Sequence, residues 1–299
     1  MSGKASEHRS GFIALVGRPN AGKSTLTNAM VGRKVAITSS KPQTTRRAIR
    51  GIVRRDSFQL VLVDTPGLHR PRTLLGERLN AVVSGALDEV DAVVLCLPAD
   101  EAVGPGDGFI AGRLPSRAAR IAAVTKTDLV DPGALAAKLA EVARLDDFDE
   151  IVPVSAATGF QVELLAELLG ARMPAGPDMY PDGEYSDQPV ELAVAELVRE
   201  AALEDLQDEL PHSLAVDVEE MVEREPPARG LTVRVTIYVE RTSQKGIVIG
   251  KGGARLRDVG TRARREIEAL LGRRIYLDLH VKVAKDWQRD PKQLQRLGF

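Results

Sequence analysis

The sequence comprises 299 residues, which is long for a single domain and sufficient for two domains that each bury a core. With 43% hydrophobic and 28% charged residues it has the composition of a globular protein, and no apolar run reaches the roughly 18–20 residues that span a bilayer. The polar N-terminus has no signal-peptide core, and Cys96, the single cysteine, excludes an internal disulfide. These observations argue against the secreted and membrane-spanning classes, and we expect a cytoplasmic protein.

The net charge of −1 is unevenly distributed along the chain. Residues 229–299 contain 17 Lys and Arg against 7 Asp and Glu, a local net charge of +10. The first 228 residues contain the remaining 24 basic and 35 acidic residues, a net charge of −11. This asymmetry predicts that the C-terminal part binds a polyanion, although a charge run can also be only a solvated surface.

Short apolar runs alternate with helical patterns over the first 172 residues. Each run has the length of a strand and lacks polar alternation, as expected where helices cover both faces of a sheet. We therefore predict a mostly parallel α/β sheet in this region. The predicted strands are 12–16, 58–64, 91–97, 120–126 and 150–156.

A break in periodicity separates this region from a second one. Residues 173–189 hold four prolines and two glycines, a composition typical of an interdomain linker. The pattern that follows reads helix (190–210), strand, strand, helix, glycine loop, helix, strand, which predicts a smaller α+β domain. We therefore predict a first domain at 1–172, a linker at 173–188 and a second domain at 189–299.

A glycine-rich sequence, GRPNAGKS at 17–24, follows the first predicted strand and opens a helix. It fits the pattern G-x-x-x-x-G-K-[ST], in which backbone N–H groups surround a β-phosphate at a helix N-terminus. Lys23 is expected to neutralise the β- and γ-phosphates, and the Ser24 hydroxyl to ligate Mg²⁺. The predicted contacts of this loop are Gly17, Arg18, Pro19, Asn20, Ala21, Gly22, Lys23, Ser24 and Thr25.

Three later motifs, DTPG, TKTD and VSA, each end a predicted strand and indicate GTP as the nucleotide. Asp64 would hold the metal through water, and the Gly67 amide would be available to the γ-phosphate. Asp128 would accept hydrogen bonds from the guanine N1–H and exocyclic amine, which adenine cannot supply. The predicted contacts of these motifs are Asp64, Thr65, Pro66, Gly67, Thr125, Lys126, Asp128, Ser155 and Ala156.

The four motifs resemble those of the translation-factor-like branch of the Ras-type GTPases, with one departure. That family usually has asparagine where this chain has Thr125. A threonine hydroxyl can replace only part of the bridge that the asparagine amide makes to the phosphate loop. We therefore expect guanine preference with somewhat weaker binding.

The basic segment 35–51 lies where such GTPases have their first switch. Thr45, or failing that Thr44, is expected to join Mg²⁺ and the γ-phosphate when GTP is bound, so that the predicted metal ligands are Ser24, Thr45 and Asp64.

Leu68 stands where Ras-like enzymes place a water-orienting glutamine, and slow intrinsic hydrolysis is therefore expected. Asn20 resembles a residue that helps to bind K⁺ in related GTPases; alternatively it only shapes the turn. The predicted catalytic residues are Lys23, Thr45, Gly67 and Asn20.

A second glycine loop, GKGG at 250–253, joins two predicted helices and lacks the G-K-[ST] ending. It fits the GxxG loop of a KH domain, which clamps about four nucleotides of single-stranded nucleic acid. The alternative is an ordinary glycine turn in an α+β domain. The predicted RNA contacts are Ile249, Gly250, Lys251, Gly252, Gly253, Arg255 and Arg257.

A Ras-like P-loop GTPase domain followed by a smaller type II KH domain resembles the bacterial Era GTPases. The motifs that carry the resemblance are GRPNAGKST, ITSSKPQTTRR, VDTPGLH, VPVSAATG and VIGKGG, and it covers nearly the whole chain. The resemblance implies a monomeric GTP/GDP-binding factor that binds small-subunit ribosomal RNA near its 3′ end and assists maturation of the 30S subunit. It also implies a cytoplasmic location with peripheral association at the inner face of the cell membrane. Two alternatives are an RNA chaperone with a structural nucleotide and a membrane-linked cell-cycle GTPase.

Overall fold

The structure, a computed structural model, describes residues 7–39, 41, 44–68, 71, 73–204, 206, 210–224 and 230–299. Residues 40, 42 and 43 of the predicted switch segment lie outside this description. The chain divides into two compact units. The first unit is 1–38, 45–71 and 76–187, and the second unit is 39–44, 72–75 and 188–299.

The first unit is an α/β fold around a six-stranded sheet with the strand order β2-β3-β1-β4-β5-β6. All neighbouring strands are parallel except β2, which runs antiparallel to β3, so the predicted mostly parallel sheet is confirmed. Its strands are β1 (Arg9–Val16), β2 (Ile49–Arg55), β3 (Phe58–Asp64), β4 (Ala92–Pro98), β5 (Ala119–Thr125) and β6 (Glu150–Pro153). Its helices are α1 (Lys23–Val31), α2 (Leu74–Leu87), α3 (Pro105–Ala111), α4 (Pro132–Val142) and α5 (Val162–Arg172).

The sheet is buried on both faces, which explains the continuous apolar runs of its strands. Ile13 and Leu15 of β1 belong to one core cluster, whereas Ala14 and Val16 belong to the other. All four side chains are fully buried. The carboxyl ends of β1, β3 and β5 lead directly into the phosphate loop, DTPG and TKTD, so the sheet brings these motifs to one edge.

Strand β2 was not predicted; its first three residues lie in the basic switch segment, and the rest have no continuous apolar run. It is an edge strand, and its arginines extend from the border of the sheet while Ile52 and Val53 enter the core. An edge strand with charged side chains has no continuous apolar run, and periodicity alone does not reveal it.

The segment predicted as a linker is hydrogen-bonded to the first unit over much of its length. The Ile52 amide donates to the Tyr185 carbonyl at 2.9 Å, and the Ser10 amide donates to the Pro174 carbonyl at 3.1 Å. The side chain of Gln59, which is fully buried, bonds the backbone at positions 179 and 180. The segment therefore covers the free edge of β2, while the bounds of the predicted domains stay a prediction.

The second unit has the element order of the predicted KH domain. Its elements are α6 (Val190–Leu203), α7 (Leu210–Ser213), β7 (Ala215–Glu223), β8 (Leu231–Val239), α8 (Thr242–Ile249), α9 (Ala254–Leu271), β9 (Ile275–Val283) and α10 (Pro291–Arg296). Its sheet order is β7-β8-β9, with β8 antiparallel to β7 and parallel to β9. Helix α6 ends at Leu203, before the predicted position 210.

Helix α9 packs on the sheet through one apolar face. Val259, Ala263 and Ile267 are buried, whereas Leu270, at the end of the same stripe, is 47% exposed. Within the described ranges, no helix is long and apolar enough to cross a bilayer.

Candidate nucleotide and RNA sites

The phosphate loop lies between β1 and α1 and folds around its own lysine. The Lys23 ammonium donates to the Gly17 carbonyl at 3.2 Å and to the Arg18 carbonyl at 2.9 Å. The side chain is 5% exposed, and burial lowers the pKa of Lys23 despite the opposing effect of Asp64. A weakly solvated ammonium held at the mouth of a helix N-terminus is suited to bind phosphate oxygens.

Three oxygen-bearing side chains predicted as metal ligands converge beside this loop. The Ser24 hydroxyl donates to Asp64 Oδ2 at 2.6 Å and lies 2.8 Å from the Thr45 hydroxyl. The Thr45 hydroxyl lies 3.5 Å from the same carboxylate oxygen. Thr44 is directed elsewhere, since its hydroxyl donates to the Lys41 carbonyl at 2.6 Å. Of the two threonines considered, Thr45 is therefore the one at the cluster.

The carboxylate of Asp64 has the properties of a ligand for a hard divalent cation. It is fully buried, and Oδ1 has no hydrogen-bond partner among the described residues. Burial raises the pKa of Asp64 to about 6, although the bonds from Ser24 and the charge of Lys23 oppose that shift. An unpaired buried carboxylate oxygen beside two hydroxyls is a donor set that fits Mg²⁺.

The DTPG motif is bonded to the strand ends and to the phosphate loop. The Thr65 hydroxyl donates to the Leu15 carbonyl at 2.7 Å, and the Leu68 amide donates to the Gly17 carbonyl at 3.3 Å. A Cβ atom at Gly67 would lie 2.6 Å from the backbone nitrogen of Pro19, so only glycine fits this approach. The Leu68 side chain is 7% exposed and packs in the apolar core.

At the other end of the site, TKTD and VSA meet through a hydrogen bond that the sequence did not reveal. The Ser155 hydroxyl donates to Asp128 Oδ1 at 2.5 Å and accepts the Thr158 amide at 3.2 Å. The Thr125 hydroxyl donates to the Ala21 carbonyl at 2.8 Å and so joins TKTD to the phosphate loop. Asp128 itself is exposed, with one carboxylate oxygen fixed by Ser155.

The second glycine loop connects α8 and α9 in the second unit, as predicted. Gly250 and Gly252 have φ angles of 73° and 59°, which explains the glycines because other residues rarely adopt this region. Lys251 and Gly252 are exposed, and Arg257 donates to the Gly252 carbonyl at 3.0 Å. The loop presents backbone and a cation to solvent.

A groove of about 410 Å³ lies beside this loop, between α9 and β9. Leu256, Leu277 and Leu279 contribute apolar walls, and Arg257 and Arg264 contribute charge. Among the residues that the structure describes, neither arginine pairs with a carboxylate. An apolar groove bordered by arginines that pair with no described carboxylate is suited to bind the bases and phosphates of a single-stranded nucleic acid.

Comparison with known proteins matches both units to families. A family model described as a 50S ribosome-binding GTPase matches residues 12–126. A KH-domain model matches residues 209–288.

Curated relatives align with the chain from end to end. A GTPase Era from a Nocardioides species is 63% identical over 308 residues, which cover 100% of this chain and 98% of the relative. A GTPase Era from Mycobacterium avium is 61% identical over 297 residues, covering 98% and 99% respectively.

Two solved structures have the same fold and are each 34% identical in sequence to this chain. One is Era in complex with MgGDPNP and nucleotides 1506–1542 of 16S ribosomal RNA, with a TM-score of 0.94 over 97% of this chain and 99% of that chain. The other is an Aquifex aeolicus Era variant bound to GDP and AlF4⁻, with a TM-score of 0.93 over the same shares.

Proposed function

Because the chain belongs to the Era family of GTPases, we propose that its GTPase cycle serves maturation of the small ribosomal subunit. In this proposal the second unit binds small-subunit ribosomal RNA near its 3′ end, and the nucleotide state of the first unit controls that binding. The complex of Era with a 16S fragment and MgGDPNP supports the proposal. The observation that carries the proposal is that one chain has both the Ser24–Thr45–Asp64 cluster and a GKGG loop. In that loop Lys251 and Gly252 are exposed.

The nucleotide is held by the residues that the four motifs contribute. The loop amides and Lys23 bind the phosphates, and the helix α1 N-terminus adds positive potential. Asp128 reads the guanine edge, with Ser155 fixing one of its oxygens. A fixed carboxylate loses less conformational entropy on binding the base, so Ser155 strengthens the preference for guanine.

Ser24, Thr45 and Asp64 hold Mg²⁺ in this proposal. When bound, the ion neutralises charge on the β- and γ-phosphate oxygens. Because Thr45 belongs to the switch segment, its hydroxyl makes the position of that segment depend on the nucleotide. The Gly67 amide faces the γ-phosphate and gives the DTPG loop the same dependence.

Hydrolysis by this chain is slow without assistance in our proposal. The buried Leu68 side chain cannot orient water, and the catalytic groups are Lys23, Thr45, Gly67 and Asn20. Asn20 has a φ of 63° in the loop, and we propose that it helps to hold K⁺ beside the phosphates. Phosphate release measured with K⁺ and with Na⁺ tests this role.

Binding of RNA is assigned to the glycine loop and the start of α9. Lys251, Arg255 and Arg257 neutralise phosphates, while Gly250, Gly252 and Gly253 let the RNA strand approach the protein backbone closely, and Ile249 lies at the edge of the loop.

We further propose domains at 1–172 and 189–299, a monomer, and a cytoplasmic location with peripheral contact to the inner face of the cell membrane.

The proposal is tested by replacing Lys251 and Gly252 together with Asp. Gly252 is exposed with nothing within 4 Å of a Cβ, and Asp tolerates its positive φ better than most residues, so the fold is retained. We expect the variant to lose binding to a 16S 3′-end fragment while GTP binding is unchanged. In cells, crosslinking of wild-type protein followed by RNA sequencing should recover the 16S 3′ end, and the variant should not recover it.

A charge-matched control is available in the first unit. Ser116 and Arg117 lie in an exposed turn, and replacing both with Asp also changes the net charge by −3. This control should keep RNA affinity, so that a loss in both variants would indicate only a long-range charge effect. Crosslinks confined to other RNAs would overturn the proposed function.

A further inference from the structure

The side chain of Arg18 leaves the phosphate loop and pairs with Asp107 at the start of α3. Its Nε donates to Asp107 Oδ1 at 2.8 Å. The other carboxylate oxygen accepts the Gly104 amide at 2.9 Å and so caps the helix. Asp107 is fully buried, and a buried carboxylate is tolerated only when it is paired and hydrogen-bonded in this way.

The preceding loop adds further contacts to the same arginine. Nη2 of Arg18 lies 3.2 Å from the Glu101 carboxylate and 3.4 Å from the Ala102 carbonyl. A Cβ atom at Gly106 would lie 3.2 Å from Cδ of Arg18, so the aliphatic stem lies against the first turn of α3. The guanidinium and the aliphatic stem of Arg18 are thus held by partners outside the phosphate loop.

This arrangement acts on both ends of the nucleotide site. The carbonyl of Arg18 accepts the Lys23 ammonium at 2.9 Å, so the position of Arg18 determines where Lys23 is held. The loop that contacts Arg18 also lies near the lysine of TKTD, since Lys126 Nζ is 3.7 Å from Asp100 and 3.9 Å from Glu101.

We propose that Asp107 and Arg18 are a positioning pair that holds the phosphate loop in its nucleotide-binding shape. Because Arg18 acts through the loop backbone, the pair sets how long a nucleotide stays bound. The inference rests on the nucleotide site proposed above. No motif contains Asp107, which lies 89 positions from Arg18.

Replacing Asp107 with Asn tests the pair while sparing the helix cap. The amide oxygen can still accept the Gly104 N–H, but the amide N–H₂ faces Arg18 as a second donor and the charge is lost. We expect release of fluorescent GDP to accelerate about tenfold or more, as for loss of a charge-assisted hydrogen bond. The KM for GTP should rise by a similar factor.

Two further variants separate positioning from folding. Arg18→Met keeps the apolar stem and leaves the Asp107 carboxylate without its arginine. The double variant Arg18→Met, Asp107→Asn removes both charges of the pair. The double variant should therefore release GDP no faster than Arg18→Met alone, and Arg18→Lys should restore part of the wild-type residence time.

As a matched control, Glu150→Gln removes the 2.8 Å contact with Arg172 and should change thermal stability without changing GDP release.

Lys23→Ala distinguishes failure of this inference from failure of the nucleotide site. If Lys23→Ala retains nucleotide, the proposed site itself is wrong. If Lys23→Ala loses nucleotide while both Asp107→Asn and Arg18→Met keep the wild-type release rate, only the positioning role is overturned. Additive effects of the two substitutions would also overturn it, because a pair predicts that the second change adds nothing.

Discussion

Thr125 stands where Ras-type GTPases usually carry asparagine, and the structure supplies a reason why this chain tolerates the difference. Its hydroxyl donates to the Ala21 carbonyl at 2.8 Å, which is the bridge between base motif and phosphate loop that the asparagine otherwise makes. The side chain is 4% exposed, so the bond is shielded from water. The threonine keeps this bridge, and the guanine contacts are left to Asp128.

Removing this hydroxyl should weaken nucleotide binding without changing base preference. Thr125→Val has nearly the same shape, and it leaves the Ala21 carbonyl without its donor. We expect GDP affinity to fall about threefold to tenfold, corresponding to about 0.5–1.5 kcal/mol. Calorimetry with GDP and ADP measures both affinity and preference, and Thr125→Asn should bind GDP at least as tightly as wild type. Unchanged affinity of the valine variant would show that the bond contributes nothing.

At the residue scale, the sequence predicts contacts between residues of recognised motifs and fails for pairs in which one partner lies outside any motif. The convergence of Ser24 and Asp64 follows from motifs at strand ends, because parallel strands bring their carboxyl ends together. The pair formed by Arg18 and Asp107 follows from no pattern, since Asp107 belongs to none of the motifs and lies 89 positions from Arg18. Long-range ion pairs depend on tertiary packing, which spacing does not encode.

Among the secondary-structure elements, the segment that covers β2 is held by one buried glutamine of β3. Gln59 Oε1 accepts the amides of Met179 and Tyr180 at 2.7 and 3.0 Å, and its Nε2 donates to the Tyr180 carbonyl at 2.9 Å. The Gln59 side-chain amide thus makes the hydrogen bonds to the covering segment that a neighbouring strand would otherwise make. Exposed strand edges favour aggregation, and this cover protects the edge of β2.

Gln59→Met should destabilise the first unit and release the covering segment. The substitution keeps the volume but leaves three backbone groups without partners. We expect a loss of about 2–3 kcal/mol in the free energy of unfolding, the range for buried unsatisfied groups. Urea denaturation measures that loss, and hydrogen exchange at positions 179–185 reports release of the segment. The exposed pair of Arg55 and Glu163 offers a control, since Glu163→Gln should cost under about 1 kcal/mol.

The same elements show why the sheet was predicted better than its edge. The central strands are fully buried, so their continuous apolar runs predict them. Strand β2 carries three arginines among its seven residues, so no continuous apolar run marks it. Residues 173–187 are irregular, and a proline-rich composition is typical of both a linker and a covering segment. If Gln59→Met proved as stable as wild type, the segment would be a passive linker after all.

For the molecule as a whole, the opposite charges of the two regions predict different responses to salt. Residues 229–299 carry +10, and Lys251, Arg255, Arg257 and Arg264 make no ion pair with a carboxylate within the part of the chain that the structure describes. If these four neutralise phosphates of a single strand, log affinity for RNA should fall with log salt at a slope of about −3. That slope corresponds to a roughly 50-fold loss between about 50 and 200 mM salt.

Two arginines of the second unit make this prediction specific. Arg264 is exposed at the groove, whereas Arg273 is held by Glu223 at 2.6 and 2.8 Å. Arg264→Gln should therefore make the salt slope shallower by about 0.7, and Arg273→Gln should leave it unchanged, because a paired cation releases no counterion. Filter binding of a 16S 3′-end fragment across a salt series measures both slopes. Equal slopes for all three proteins would mean that Arg264 does not contact the RNA backbone. A wild-type slope near zero would mean that the positive charge of this region is only a solvated surface.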